Sequence, residues 1–289
     1  MQPQVANVLP DAAFQRLSGV SAFMFDVDRT LAEPHGAISA DIAAELGKLR
    51  APAGVATART LSELEESLPP GKNIFDIFKG DLLLEDGGVL VPSGQSVKEP
   101  VQLEVLVSKA ELRAISEFRE LLIEAFVDLK REDRFGVFRG LPQPLVQFPP
   151  VNDFLTSITV WEKGPVGDPT FPLAYQWVAA RMKERNLDRV LTLTEVGDGT
   201  LRITTPNANK GWGLEQLAQR RGLALSRIAY VGDGANDIPA ALTVRESGGL
   251  VIAVGRATPN LVALADYTTS GEGPDAVLHV LRRVNRMRG

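Results

Sequence analysis

Two aspartates one residue apart, Asp26 and Asp28, follow the apolar run Ala22 to Phe25 in the stretch Phe-Asp-Val-Asp-Arg-Thr-Leu. An apolar strand that ends in acidic residues delivers them to the carboxyl edge of a sheet, where open α/β folds place their ligands. Two carboxylates brought close repel, so the pair calls for a divalent cation or a shared proton. Comparable placements recur along the chain: Thr57 just after the run Ala53 to Ala56, Lys210 near the start of a helical stretch, and Asp233, Asn236 and Asp237 after the strand-like Arg227 to Val231. Taken as one site, these residue types suit phosphoryl transfer, in which an enzyme chiefly positions reactants and neutralises spread-out negative charge. A carboxylate can attack phosphorus, and a second can protonate the leaving oxygen and then accept a proton from water. A hydroxyl and an ammonium can complete the phosphate's shell, and Mg2+ suits a cage of aspartates.

The surrounding pattern supplies the elements that must hold these groups. Ser39 is an N-cap residue ahead of Ile42, Leu46 and Leu49 at helical spacing, which predicts a helix to about Arg50. Thr60 with Glu63 has the pattern of a capping box and opens the next helix directly after Thr57. Leu82 to Leu84 and Val89 to Val91 read as a strand and a return strand around Asp86-Gly87-Gly88. From about 92 to 205 the rhythm changes: Val101 to Val107 alternate, Leu112 to Leu129 have helical spacing, Leu155 to Trp161 reads as a strand, and Leu173 to Arg185 as a helix. Val190 to Val196 and Thr200 to Thr205 then form a hairpin about Gly197-Asp198-Gly199, which makes this stretch a separate α+β domain. The βα alternation returns with helices over 211–221, 238–246 and 259–265, a strand over 250–254 and a closing helix marked by Val277, Leu281 and Val284.

At 289 residues the chain is long for one core, so two domains or one large insertion are expected. A net charge of -5 argues against a nucleic-acid binder, which would show a basic face. The absence of cysteine excludes disulfides, thiolate catalysis and zinc-thiolate sites, and two histidines, His35 and His279, make no histidine-rich centre, so any metal must sit on oxygen. The start of the chain lacks a basic, then apolar, export pattern, and no run approaches the roughly 18 apolar residues of a membrane span. A cytoplasmic protein, monomer or homodimer, with no membrane or nucleic-acid partner, is the expectation.

The motifs FDVDRTL, VATAR, NKGWGLEQLA and YVGDGANDIPAA, in that order, resemble the haloacid dehalogenase superfamily in its Cof-like (type IIB) branch of Mg2+-dependent sugar phosphatases and mutases. The resemblance implies an α/β fold: a Rossmann-like three-layer core with a mostly parallel sheet over 1–91 and 206–289, and an inserted α/β cap over 92–205 that sets substrate specificity. It implies Asp26 as nucleophile and metal ligand, Asp28 as general acid/base, and Thr57 and Lys210 as phosphate ligands. Asn236 would orient the nucleophile or the phosphate, Asp233 would bind the metal, and Asp237 would bind it or support its ligands. Asp26, Asp28, Asp233 and Asp237 together would form a cage for Mg2+. The expected activity is hydrolysis of a phosphate monoester, of a sugar phosphate or related small phosphometabolite, through an aspartyl-phosphate. Two other readings stay open: a phosphomannomutase-like mutase, favoured by FDVD but disfavoured by GDGANDIPAA, and a non-catalytic phosphosugar-binding protein, which should have lost one of Asp26, Asp28 or Lys210. One departure stands out, because Arg29 occupies a position where the family pattern has glycine. Either the backbone there is ordinary or strain is tolerated, with the side chain escaping to solvent or meeting a substrate anion. His35 is a solvated loop residue or a substrate contact.

Overall fold

The computed structural model describes residues 4–6, 9–34, 36–96, 98–132, 156–161, 171–196, 200–269, 271 and 273–287. The chain divides into two compact units, residues 1–106 with 209–289, and residues 107–208.

The first unit opens with a short strand β1 (Gln4–Ala6) and helix α1 (Asp11–Ser18), then β2 (Ala22–Phe25), α2 (Ala40–Gly47), β3 (Ala53–Ala56), α3 (Leu61–Glu66), α4 (Ile74–Ile77), β4 (Leu82–Leu84), β5 (Val89–Val91) and β6 (Glu104–Val105). The second unit contributes α5 (Lys109–Glu132), β7 (Ser157–Trp161), α6 (Phe171–Glu184), β8 (Thr192–Val196) and β9 (Thr200–Thr204). The first then resumes with α7 (Lys210–Arg221), β10 (Ile228–Gly232), α8 (Ile238–Glu246), β11 (Leu250–Ala253), α9 (Pro259–Leu264), β12 (Tyr267–Thr269) and α10 (Gly273–Met287). Among the described residues its strands form a nine-stranded sheet in the order β1-β12-β11-β10-β2-β3-β4-β5-β6. All neighbours from β1 through β4 run parallel, and only β5 and β6 are antiparallel.

The central strands are buried at every position, and their sequences, Ala-Phe-Met-Phe in β2 and Leu-Val-Ile-Ala in β11, are apolar throughout rather than alternating. That is the pattern of a parallel sheet covered on both faces. Met24, Tyr230 and Val251 join Leu214 and Leu217 of α7 and Val244 of α8 in one cluster. Phe23 and Phe25, one position to either side of Met24, stack with ring centroids 5.9 Å apart. Local signals start the helices: Ser39 Oγ accepts the Ile42 N–H ahead of α2, and Thr60 and Glu63 form a reciprocal capping box ahead of α3. No helix among the described residues is long and apolar enough to cross a membrane.

The second unit packs α5 and α6 with an antiparallel sheet of order β7-β9-β8 around its own core, which includes Ile115, Phe118, Ile158, Met182 and Ile203. Its bounds differ from the 92 and 205 suggested by the sequence pattern. The stretch Val101 to Val107 forms a strand only at Glu104–Val105, and that strand pairs with β5, Val89 opposite Val105, as the edge of the large sheet. Alternation identifies a half-exposed strand but not the sheet that it joins. The Pro-rich stretch 141–150 and the hairpin turn 197–199 lie outside the described residues.

The register sets up the site. Phe25 of β2 lies opposite Val55 of β3 on one side and Val231 of β10 on the other, so three neighbouring strands end at one level. The loop leaving β2 is seated on the first residue of α10, because a Cβ on Gly273 would lie 1.5 Å from the Arg29 carbonyl oxygen. Gly273→Ala should therefore destabilise the protein on the order of 3 kcal/mol, since a backbone carbonyl cannot turn aside as a flexible side chain can. Gly71, at φ +75 with open space about its Cβ position, provides the comparison. Gly71→Ala should cost only the left-handed strain of about 1–2 kcal/mol. Urea midpoints check this, and equal shifts for the two variants would contradict it.

Candidate active site

The ladder between β2 and β10 extends one residue past the strand, with the Asp26 N–H donating to the Val231 carbonyl at 2.8 Å. The chain then turns tightly around the Val27 carbonyl, which accepts from the N–H groups of Thr30, Leu31 and Ala32. Arg29 adopts φ +60 in this turn, so the backbone keeps the left-handed shape that glycine would take without strain. The Arg29 side chain is exposed, and its charge acts on Asp233.

Lys210, the first residue of α7, is completely buried. Asn209 fixes the start of that helix by accepting the Trp212 N–H at 2.9 Å. The Lys210 ammonium donates to Asp26 Oδ1 at 2.5 Å and to Asp237 Oδ1 at 2.6 Å. Burial alone would lower its pKa, but the charges of Asp237 and Asp26 outweigh burial and hold it well above the usual lysine range. Asp237 is itself heavily used. Its Oδ1 also accepts the Tyr230 hydroxyl at 2.6 Å, and its Oδ2 accepts the backbone N–H groups of Asp233 and Gly234 at 2.9 and 2.8 Å. Gly232 permits this fold-back, since a Cβ there would lie 2.4 Å from Asp237 Oδ2. Burial first, and then the neighbouring Asp237 charge, keeps the Tyr230 phenol protonated.

Asp233, on the loop after β10, is pushed up to about 6 by burial and by Asp237, against the opposing charges of Lys210 and Arg29. Burial also raises Asp26 well above the ordinary carboxylate range, where the Lys210 charge opposes the shift and Asp237 and Asp233 add to it. Ligand oxygens of Asp26, Asp233 and Asp237 lie within 4.8 Å of one another. Three buried carboxylates face one buried ammonium, and an all-oxygen donor set with surplus negative charge fits a hard divalent cation. Asp26 and Asp233 are the better-placed ligands, because both oxygens of Asp237 already accept from the protein.

The Thr57 hydroxyl is buried just beyond β3 and accepts the Arg59 N–H at 3.2 Å. Asp28 stands apart from the three-carboxylate group: its carboxylate is gripped by Arg59 through Nε at 3.0 Å and Nη2 at 2.7 Å. Asn236 is exposed, and its amide donates to Asp86 Oδ1 at 3.3 Å. Asp26, Asp28, Thr57, Lys210, Asp233, Asn236 and Asp237 thus all lie in the first unit, at strand ends or helix starts. Of the remaining candidates, His279 is exposed on α10, and His35 lies outside the described residues.

Arg59, Asp86 and Tyr230 belong to this neighbourhood and were not singled out from the sequence. A signal existed for each. Arg59 sits two residues after Thr57, Asp86 follows a buried strand as Asp26 does, and a phenol in the middle of the apolar β10 needs a partner.

A family model described as haloacid dehalogenase-like hydrolase matches residues 174–281. Phosphoglycolate phosphatase of Methanothermobacter thermautotrophicus is 35% identical over 83 residues, which cover 29% of this chain and 36% of that protein. That match therefore spans about a third of the relative's length. Phosphoglycolate phosphatase of Methanopyrus kandleri is 24% identical over 245 residues, covering 83% of this chain and 85% of that one. Among solved structures, the C-terminal domain of C. albicans trehalose-6-phosphate phosphatase has a TM-score of 0.67 at 13% identity, covering 99% of this chain and 98% of that one, a likeness of fold. Residues 174–281 thus match the haloacid dehalogenase-like hydrolases, and over most of its length the chain is similar to a phosphoglycolate phosphatase in sequence and to a trehalose-6-phosphate phosphatase domain in fold.

Proposed function

We propose that the protein is a Mg2+-dependent phosphate monoester hydrolase acting on a sugar phosphate or a related small phosphometabolite through an aspartyl-phosphate. The observation that carries this reading is the completely buried Lys210 ammonium bridging Asp26 and Asp237. An ammonium in that position fixes one oxygen of Asp26 and offers positive charge beside the other, which is where a transferring phosphoryl group would need it. In this reading an oxygen of Asp26 attacks phosphorus as the ester P–O bond breaks, and the leaving oxygen takes a proton from the Asp28 carboxyl. Asp28 then removes a proton from water as that water attacks the phosphoryl group, and Asp26 and inorganic phosphate are released. Thr57 and Lys210 hold the phosphoryl oxygens, with Asn236 orienting them at the rim. Asp26 and Asp233 would hold Mg2+, which when bound would supply positive charge to the phosphoryl oxygens. Asp237 serves in this scheme by holding Lys210 and the loop backbone in place.

The unit 107–208 is assigned to substrate selection, since every residue given a chemical role lies outside it. Phosphoglycolate and trehalose 6-phosphate, taken from the names of the relatives, are the first substrates to assay, alongside hexose phosphates. Activation by a sugar bisphosphate with isomerised product, in place of phosphate release, would mark a mutase instead.

Asp26→Asn removes the attacking oxygen and little volume. It should lower phosphate release by several orders of magnitude while leaving the melting temperature near that of the wild type. A purified variant retaining more than a tenth of the wild-type rate would rule Asp26 out as nucleophile.

Stability should depend on pH through Asp233. Its carboxyl titrates at about 6 in the folded protein against an ordinary value of 3.8. Below about pH 3 both states hold the proton and there is no penalty. As pH rises from about 4 to 6 the unfolded state ionises first, so this group lowers metal-free stability, by up to about 3 kcal/mol above pH 6. Urea midpoints without metal, compared between the wild type and Asp233→Asn at pH 4.5 and 7, isolate the effect. The variant's relative stability should be greater at pH 7 than at pH 4.5 by about 2 kcal/mol, and saturating Mg2+ should raise the wild-type melting temperature at pH 7. An equal difference at both pH values would contradict the assignment.

A further inference from the structure

Arg59 is held at both its backbone and its guanidinium. Its backbone N–H donates to Thr57 Oγ1 at 3.2 Å, and its carbonyl accepts the Glu85 N–H at 3.1 Å. At the far end, Nε and Nη2 meet the two oxygens of Asp28 at 3.0 and 2.7 Å, and Nη2 also reaches the Gly36 carbonyl at 3.3 Å. The Arg59 side chain is only 9% exposed, whereas that of Asp28 is 35% exposed. A half-open carboxylate on a turn has several orientations available, and a planar guanidinium engaging both of its oxygens fixes its position and its plane together. A lysine would supply the charge as a single point and leave the plane free.

We propose that Arg59 is a positioning residue for Asp28, holding its carboxyl in the plane from which it serves the ester's leaving oxygen. This rests on the reading of Asp28 as general acid, and it has a consequence that a purely structural arginine would not produce. An alkyl phosphate must have its leaving oxygen protonated as the P–O bond breaks, whereas p-nitrophenolate is stable enough to depart without a proton. Misplacing the acid should therefore slow the first kind of substrate and spare the second.

The test is the pre-steady-state rate of leaving-group release in the first turnover, measured with Mg2+ on the full chain for an alkyl phosphate and for p-nitrophenyl phosphate. Arg59→Lys and Arg59→Ala should lower that rate for the alkyl ester by about 100-fold, within the range attributable to a positioned acid, and for the aryl ester by less than about fivefold. KM should stay within about threefold for both esters, and added guanidinium should restore Arg59→Ala toward the wild type on the alkyl ester alone. Equal losses on the two esters, or no loss on the alkyl ester, would overturn the proposal. Asp28→Asn, measured on the same pair, separates the two levels of inference. A leaving-group-dependent loss in Asp28→Asn without one in either Arg59 variant removes the role of Arg59 and keeps Asp28 as the acid. No leaving-group dependence in Asp28→Asn removes both.

Discussion

A lysine ammonium with no access to water must be matched by negative charge, and the arrangement of this site follows from how Lys210 is matched. Asp26 supplies one partner from the end of β2 and Asp237 the other from the loop after β10. Each partner must then be held in turn. Asp237 is held by Tyr230 and by two backbone N–H groups, an approach that leaves no room for a side chain at residue 232. Asp26 is held by the ladder to Val231. Removing Lys210 would leave both buried carboxylates uncompensated, a loss of roughly 3–5 kcal/mol, whereas neutralising Asp26 leaves the ammonium still paired with Asp237. The interaction links strand register, glycine placement and helix start to one carboxylate oxygen.

The same group is short of positive charge. Asp26, Asp233 and Asp237 share one ammonium, and burial with mutual repulsion raises Asp26 and Asp233. Protons relieve that imbalance in the metal-free protein, and a divalent cation would relieve it where phosphoryl oxygens gather. Stability and the proposed activity therefore draw on one electrostatic feature. Asp28 stands outside it, matched by Arg59, which gives the two aspartates of the first motif separate environments two residues apart. Distinct environments are what distinct chemical duties for two carboxylates require.

Much of this was legible in the sequence because parallel strands buried on both faces read as plain apolar runs, and the polar residues that end them mark the ligand edge. β2, β3, β10 and the residues after them could be placed that way, and the Ser39 and Thr60–Glu63 caps located two helices. What escaped depends on three dimensions. β6 alternates, but its partner lies in the large sheet rather than in the inserted segment. β1 and β12, Gln-Val-Ala and Tyr-Thr-Thr, are three residues each, too short and too polar for a pattern to show. Arg59 and Asp28 are 31 residues apart, and no spacing rule joins them. The left-handed turn at Arg29 was open in the sequence, because an arginine there argues against φ +60 while the packing of Gly273 on its carbonyl supports it.

The claim on which the proposed chemistry turns is that phosphorus passes through a bond to Asp26. Acid quenching during turnover with a phosphate ester, borohydride reduction of any acyl phosphate, and peptide mass spectrometry test it directly. Reduction converts an aspartyl-phosphate to homoserine, so homoserine at position 26, dependent on substrate and Mg2+, is the expected result. Homoserine at another aspartate, or unmodified Asp26 in an enzyme whose leaving group appears in a burst ahead of phosphate, would contradict it.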